Sequence, residues 1–363
     1  MTHARAAVVP APGAPFVVRD VRLDDPRPGE VLVRMTATGV CHTDLAMRDT
    51  WPSRRTPMVF GHEGAGRVEA VGSEVTGLAP GDHVCLTYAS CGACRQCAAD
   101  QPAYCRAARA LNLSGGRGDG TTTLRLDDRP LHGGFFGQSS FATHAVVQQR
   151  GVVKVPAGLP PEVVAPLGCG AQTGAGTVLN RLRPEPGTSL VVLGSGGVGL
   201  SALMAALSLG CDPVVAVDPV ATRRALAVDL GAKAALAPDD KLVAALRDLT
   251  DGGAHHVVDT TGRPAMIRRA VEALRPRGEL ALVGLGGEVT FDPMSLLAKG
   301  VRIHGVTEGD SDPARFLPEL LDLHRHGHFP VERLVTTFPF EDINTAVAAM
   351  RDGSVIKPVL TFA

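Results

Sequence analysis

Ser189-Leu190-Val191-Val192-Leu193-Gly194-Ser195-Gly196-Gly197-Val198-Gly199 is the stretch on which the fold turns. Its first half is a continuous apolar run, of the kind buried on both faces in a parallel sheet. Its second half is G-x-G-x-x-G, and Leu200 to Leu207 continues as a helix. A lone glycine fingerprint is weak, but one that follows a strand and opens a helix has a mechanism. The glycines allow a tight turn and close backbone approach, leaving the helix N-terminal amides to hold a pyrophosphate. Asp218 ends the next apolar run, Val214 to Asp218, where a carboxylate can accept both adenosine-ribose hydroxyls. The same charge repels a 2′-phosphate, so NAD is favoured over NADP, although Arg223 and Arg224 stand close enough in sequence to tolerate one.

Downstream the alternation persists. Short strands are expected at Ala234–Ala237, His256–Asp259, Glu279–Val283 and Val301–Gly305. Helices are expected up to Gly231, over Asp240–Leu249 and over Ala265–Leu274. Strand–helix alternation implies a doubly wound parallel sheet with right-handed crossovers. Upstream, residues 1 to about 165 read as β-rich. Alternating segments such as Val31–Met35 and Gly66–Val71 are punctuated by Pro28-Gly29 and Pro80-Gly81 turns, with no sustained helical period. A compact barrel-like domain follows from that texture, with Leu113 to Gly134 as an excursion loop or hairpin. Beyond about residue 308 the pattern loosens to a helix near Pro313–Arg325 and a last strand at Pro358–Phe362.

A chain of 363 residues exceeds one comfortable core, so two domains are expected. Lys and Arg total 36 against 37 Asp and Glu, for a net charge of −1. That balance offers no electrostatic reason to expect nucleic acid or an anionic membrane as partner. The amino terminus has no apolar signal core, and no stretch approaches the roughly 18 apolar residues of a membrane span. A cytoplasmic address is expected, and there clustered thiols favour metal over disulfides.

Six of the 8 cysteines, with one histidine, sort into two metal sites. Cys91, Cys94, Cys97 and Cys105 form a C-x2-C-x2-C-x7-C ladder. Four thiolates close together saturate a tetrahedral ion and leave no place for substrate, so the ladder holds a loop. An iron–sulfur cluster and a zinc ribbon that binds nucleic acid are the competing readings, the latter poorly served by the flanking Gln96, Ala98, Ala99 and Asp100. Cys41, His62 and Cys169 are far apart in sequence, which suits a zinc with an open fourth position. Asp44 and Glu63 beside them offer carboxylates that orient the imidazole and tune the metal. Zinc chemistry and dinucleotide binding in one chain point to redox catalysis. Cys85 and Cys211 remain as core thiols.

G-V-C-H-T-D, G-H-E-G-A-G, the cysteine ladder, L-G-C-G-x-x-T-G and G-x-G-G-V-G occur here in one order. Together, and over essentially the full length, they resemble the zinc-dependent alcohol dehydrogenases of the medium-chain dehydrogenase/reductase family. F-F-G-Q-S-S-F-A-T-H, L-G-C-G-A-Q-T-G-A-G, E-G-D-S and I-K-P-V-L look most like its aryl (benzyl) alcohol dehydrogenases. The resemblance implies an α/β protein with a GroES-like β-barrel catalytic domain, residues 1–170 and 308–363, and an inserted Rossmann NAD-binding domain, residues 171–307. It implies a catalytic zinc on Cys41, His62 and Cys169, with Glu63 as an alternate ligand, and a structural zinc on Cys91, Cys94, Cys97 and Cys105. Asp44 matches the partner of His62, and Thr43 the hydroxyl that bonds the reacting oxygen. Thr173 and Val198 match positions beside the nicotinamide, and His42 and Lys357 match pyrophosphate contacts. Gly194, Gly196, Gly197, Gly199, Asp218 and Arg223 complete the expected NAD site.

Many members carry a proton-relay histidine five residues after the first zinc cysteine; here Ala46 stands there. Either Thr43 and the ribose hydroxyl release the proton through water, or His42 substitutes. Phe135, Phe136, Trp51 and Tyr88 are candidate walls of the substrate pocket or plain core aromatics. The implied reaction is reversible hydride transfer between a primary aryl or allylic alcohol and its aldehyde, in a homodimer or homotetramer. The rival enzyme is a formaldehyde dehydrogenase acting on S-(hydroxymethyl) adducts of glutathione or mycothiol, since those relatives share C-H-T-D-L.

Overall fold

The computed structural model describes residues 1–362. Strands β1 (Thr2–Val9), β2 (Val17–Leu23), β3 (Glu30–Gly39), β4 (Met58–Val59) and β5 (Gly64–Val71) open the chain. They are followed by β6 (His83–Leu86), β7 (Leu124–Leu126), β8 (Arg129–Leu131), β9 (His144–Gln148) and β10 (Val152–Lys154). The parallel series is β11 (Leu190–Leu193), β12 (Val214–Val217), β13 (Ala234–Leu236), β14 (Ala254–Asp259), β15 (Leu274–Leu282) and β16 (Arg302–Gly305). The chain ends on β17 (Val335–Pro339) and β18 (Lys357–Thr361).

Two compact units result. The first comprises 1–169, 312–318 and 332–362; the second comprises 170–311 and 319–331. The expected return of everything after residue 308 to the first domain is thus corrected: 308–311 and 319–331 cluster with the second unit. The helix Pro313–Arg325 carries its apolar residues past the boundary in the middle of its own length, which no periodicity marks.

In the first unit a five-stranded sheet runs β4-β1-β2-β7-β8, and a seven-stranded sheet runs β10-β6-β5-β3-β18-β17 with β9 also on β3. The terminal strand β18 pairs antiparallel with β3 through Val359–Gly39 and Leu360–Thr38, which brings Lys357 beside the segment that carries Cys41. The core packs Phe60, Phe135, Phe141, Trp51 and Met58, all buried, against the inward faces of β1 and β3. Each large side chain removed from water contributes about 1.5–3 kcal/mol. Within the stretch Leu113–Gly134, residues Leu124–Leu131 fold as the β7–β8 hairpin, turned by Asp127 and Asp128 at φ 48 and 61. Left-handed backbone at both turn positions matches the twist of a two-residue hairpin.

One element went unexpected in this region. Cys41 caps a nine-residue helix, His42–Thr50. Its first turn closes on itself, because Asp44 Oδ2 accepts from the Cys41 backbone N–H at 3.0 Å. A cysteine in the capping position gives none of the Ser, Thr, Asp or Asn signal that marks a helix start.

In the second unit the parallel sheet runs β13-β12-β11-β14-β15-β16. The order reverses between β11 and β14, and the glycine turn after β11 leads into the helix Gly197–Ser208 at that reversal. A Cβ on Gly199 would collide with the Gly194 carbonyl, so the helix can lie this close to its strand only with glycine there. A second helix the sequence did not announce, Gly170–Gly176, packs on Gly197–Ser208. Three of its seven residues are glycines, poor helix formers, but a Cβ on Gly174 would strike the Val198 carbonyl. Close packing overrides propensity at that point.

Candidate functional site

Cys41, His62, Glu63 and Cys169 come from three separate segments of the first unit and converge. One donor atom from each lies within 4.8 Å of all the others, and the four side chains are buried. Cys41 sits at the mouth of the His42–Thr50 helix, His62 and Glu63 in the link from β4 to β5, and Cys169 after the turn Ala165–Gly168. Asp44 organises two of these segments together. Its carboxylate accepts from Cys41 N at 3.0 Å, Gly61 N at 3.1 Å and His62 Nδ1 at 2.8 Å, and neither it nor His62 is exposed. With Nδ1 bound to Asp44, Nε2 is the ring nitrogen left to bind a cation; it is buried without a hydrogen-bond partner. A buried imidazole nitrogen left unsatisfied costs free energy unless something else binds it. Two thiols, a carboxylate and that nitrogen form the donor set of a zinc centre, so the residues fit the metal.

The electrostatics agree. The Cys169 sulfur, with the charges of His62 and Lys357, outweighs burial and holds the Cys41 thiol well below its usual range. Burial opposes charging His62, but Asp44 and the Cys41 sulfur hold its imidazole well above the ordinary value. Burial and the Cys41 sulfur raise the Glu63 carboxyl against the pull of Lys357. This is a negatively biased pocket that holds a proton where a cation would otherwise sit.

Gln138 and Lys357 complete the surroundings, and nothing in the sequence singles out Gln138. Gln138 Nε2 donates to the carbonyls of His62 at 2.9 Å and Thr87 at 3.3 Å, while its Oε1 accepts from Gly64 N at 3.1 Å. The only hint was a lone amide inside F-F-G-Q-S-S-F. Lys357 is buried with its Nζ 2.8 Å from both Glu63 carboxylate oxygens and 3.4 Å from the Val40 carbonyl. Burial works against its charge, but Glu63 holds the ammonium well above its usual pKa.

Of the expected aromatic walls, Trp51 and Phe135 are core residues at 3% and 0% exposure, and Tyr88 is buried at 5%. Phe136 differs. Its ring stacks on His62 with centroids 4.5 Å apart, it is half-buried, and its backbone is left-handed at φ 50. Thr43 is half-buried on the first helical turn; His42 and Ala46 are exposed.

The ladder Cys91, Cys94, Cys97 and Cys105 also closes, its sulfurs all within 4.8 Å. Cys94 and Cys97 sulfurs are 3.6 Å apart, and Cys91 and Cys97 sulfurs 3.9 Å. Zn–S bonds of about 2.3 Å place the sulfurs of a tetrahedral site about 3.8 Å apart. Backbone N–H groups of Cys97 and Arg106 lower the Cys94 thiol to about 6, while burial and neighbouring sulfurs push Cys97 up to about 12. Four such thiols ionise together only around a cation. Cys85 and Cys211 are buried apart from both sets.

In the second unit Gly194, at φ 95, Gly196, Gly197, Val198 and Gly199 form the turn at the carboxyl end of β11. A Cβ on Gly196 would meet nothing within 4 Å, so the turn is open where a phosphate would approach. Asp218 is 3% exposed, and its carboxylate accepts from Ser195 N and Val220 N, each at 2.8 Å. Arg224 donates to the carbonyls of Asp218 and Pro219 at 2.8 and 2.9 Å. Arg223 Nε is buried without a hydrogen-bond partner. Thr173 is half-buried in the helix that packs on this turn. These residues fit a dinucleotide. Among the described residues no helix is long and apolar enough to cross a membrane.

Comparison with known proteins agrees with this geometry. Residues 27–157 match the model of the alcohol dehydrogenase GroES-like domain, and residues 197–324 that of the zinc-binding dehydrogenases. The chain is 48% identical to a geraniol dehydrogenase of Castellaniella defragrans, over 99% of this chain and 98% of the relative. A solved alcohol dehydrogenase zinc-binding domain protein of Burkholderia ambifaria superposes with a TM-score of 0.96 at 47% identity, covering 100% of this chain and 99% of that one. The benzyl alcohol dehydrogenase of Acinetobacter calcoaceticus does so with a TM-score of 0.96 at 42% identity, covering 100% of both. The chain belongs to the zinc-dependent alcohol dehydrogenases of the medium-chain dehydrogenase/reductase family.

Proposed function

We propose that this alcohol dehydrogenase uses NAD to interconvert a primary allylic or aryl alcohol and its aldehyde. The observation that carries the reading is the buried donor set of Cys41, His62 and Cys169, with the unpartnered His62 Nε2 at its centre. When bound, zinc supplies a Lewis acid for the alcohol oxygen and NAD a hydride acceptor.

The chain's own residues supply the rest. Asp44 fixes the His62 tautomer and ring plane through Nδ1. Lys357 holds the Glu63 carboxylate on its own side of the pocket, which keeps Glu63 as a second ligand in reserve. The Thr43 hydroxyl takes the alcohol proton at Oγ1 and passes it on to water, or to His42 on the same exposed turn. Phe136, stacked on His62 and half-buried, offers a flat apolar face suited to an aromatic ring or an allylic double bond. The ladder on Cys91, Cys94, Cys97 and Cys105 holds a second, structural zinc. Asp218 favours NAD over NADP, because its charge opposes a 2′-phosphate. A homo-oligomer is part of the reading, supported by Leu285, Met294 and Leu297, which lie between β15 and β16 and are exposed at 74%, 63% and 72%.

A screen of the purified chain by NADH absorbance tests the reading. Geraniol and benzyl alcohol should outperform ethanol in kcat/KM, and NAD should outperform NADP. Faster turnover of formaldehyde with a thiol than of either alcohol would transfer the assignment to the thiol-adduct dehydrogenases. Thr43→Ala should lower kcat by about 10²–10⁴ with zinc content unchanged. Near-normal turnover would remove Thr43 from the proton path. A shifted pH–rate profile in His42→Gln would place the onward proton on His42, and an unaltered one would leave it to water.

A further inference from the structure

The loop that leaves β16 carries a charge with no part in the chemistry above. Glu308, Gly309 and Asp310 adopt three successive left-handed conformations, at φ 50, 66 and 51. Two of the three are not glycine, and such backbone persists only where its surroundings hold it. Here they do. A Cβ on Gly309 would collide with the Gln172 carbonyl, and the Gly309 carbonyl accepts from Asn180 Nδ2 at 3.0 Å. Ser311 Oγ donates to Gln172 Oε1 at 3.2 Å and to the Glu308 carbonyl at 2.6 Å. Glu308 Oε2 accepts from Gln172 Nε2 at 3.2 Å and from the Thr173 hydroxyl at 3.5 Å. The carboxylate is therefore fixed in direction by the helix Gly170–Gly176, and it is half-buried.

The topology says what that position serves. In a sheet of this order a dinucleotide lies across the carboxyl ends of the strands, with its pyrophosphate at the glycine turn. Asp218, at the end of β12, marks the adenosine half on the side of β12 and β13. The nicotinamide half then falls over the ends of β14, β15 and β16. Glu308 lies just beyond Gly305, the last residue of β16, and its partner Thr173 precedes Gly174, which packs on the Val198 carbonyl. Two other acids near these strand ends are held by their own neighbours. Asp259 is fully buried, accepting from Thr261 Oγ1 at 2.7 Å and Gly262 N at 2.9 Å, and Asp310 pairs with Arg181 at 3.7 Å.

The oxidised nicotinamide ring carries a positive charge, and hydride addition makes it neutral. Resting on the NAD reading, we propose that Glu308 is a specificity-determining residue that makes the site favour the oxidised over the reduced cofactor. Thr173 and Gln172 are the positioning residues that aim its carboxylate. Product NADH is then bound more weakly than it would be in an uncharged site, which favours its release after alcohol oxidation.

Calorimetric titration of the zinc-loaded full chain with NAD⁺ and with NADH tests this without turnover. In Glu308→Gln the ratio Kd(NADH)/Kd(NAD⁺) should fall about tenfold, the Coulomb preference for a partly solvated charge, at unchanged zinc content. Glu308→Asp keeps the charge and should keep most of the ratio. A ratio within twofold of wild type in Glu308→Gln would overturn the inference, as would an equal loss in both variants, which would assign the effect to packing. A wild-type chain that binds neither nucleotide would overturn the NAD reading itself, and this inference with it.

Discussion

Asp44 shows how much of the site rests on single side chains. It ties the Cys41 amide, the Gly61 amide and the His62 ring to one buried carboxylate. Asp44→Asn keeps the shape but replaces an acceptor-only group with an amide that presents donors to the same neighbours. Zinc affinity at this centre should fall about 10–100-fold, with the four-cysteine site unaffected. Metal competition with a chromogenic chelator measures both; equal loss at the two sites would mean general unfolding instead. At this scale the sequence was legible where residue types are rare. Cysteine and histidine seldom coincide by accident, so Cys41, His62 and Cys169 could be paired across more than a hundred residues. The supporting groups were not. Gln138 is an ordinary amide until its three hydrogen bonds are seen, and nothing before folding pairs Lys357 with Glu63.

Elements were legible where one kind of burial dominates. β11 and β12 are buried throughout, and their unbroken apolar runs announced them. The helices His42–Thr50 and Gly170–Gly176 were invisible because tertiary contacts specify them, through an Asp44 return bond in one and glycine packing on Val198 in the other. The cross-strand row His256, Glu279 and Arg302 on β14, β15 and β16 carries a pH-dependent stability. Glu279 is held by Arg302 at 3.1 Å and His304 at 2.8 Å, whereas His256 Nδ1 is buried without a partner. Burial, aided by the charges of His255, Arg302 and His304 against that of Glu279, lowers the His256 pKa to about 4. Above about 6.5 the ring is neutral in both folded and unfolded chains. As pH falls from there toward about 4, the unfolded chain binds a proton that the native chain refuses, so stability drops. The loss reaches up to about 3 kcal/mol at the acid end. His256→Asn should flatten this part of the Tm–pH curve relative to wild type. Parallel curves would show that His256 does not titrate in this way.

For the molecule as a whole, the order of motifs along the chain revealed the two-part construction and the alternating fold of the second part. The boundary was misplaced because the helix Pro313–Arg325 runs through it, so 319–331 belong to the second unit despite following a segment of the first. Hydrophobic periodicity reports that a helix has a buried face; it does not report which core that face joins. In the proposed function the two cysteine sets divide the labour: the ladder of Cys91, Cys94, Cys97 and Cys105 would hold a structural zinc, and the trio of Cys41, His62 and Cys169 the reactive one. Zinc per chain measured together with alcohol-dependent NADH formation in Cys169→Ser tests it most directly. Cys169→Ser should keep the zinc on the four-cysteine site and a near-wild-type Tm while turnover is abolished. Undiminished turnover in Cys169→Ser, or loss of turnover with both zincs still bound, would contradict it.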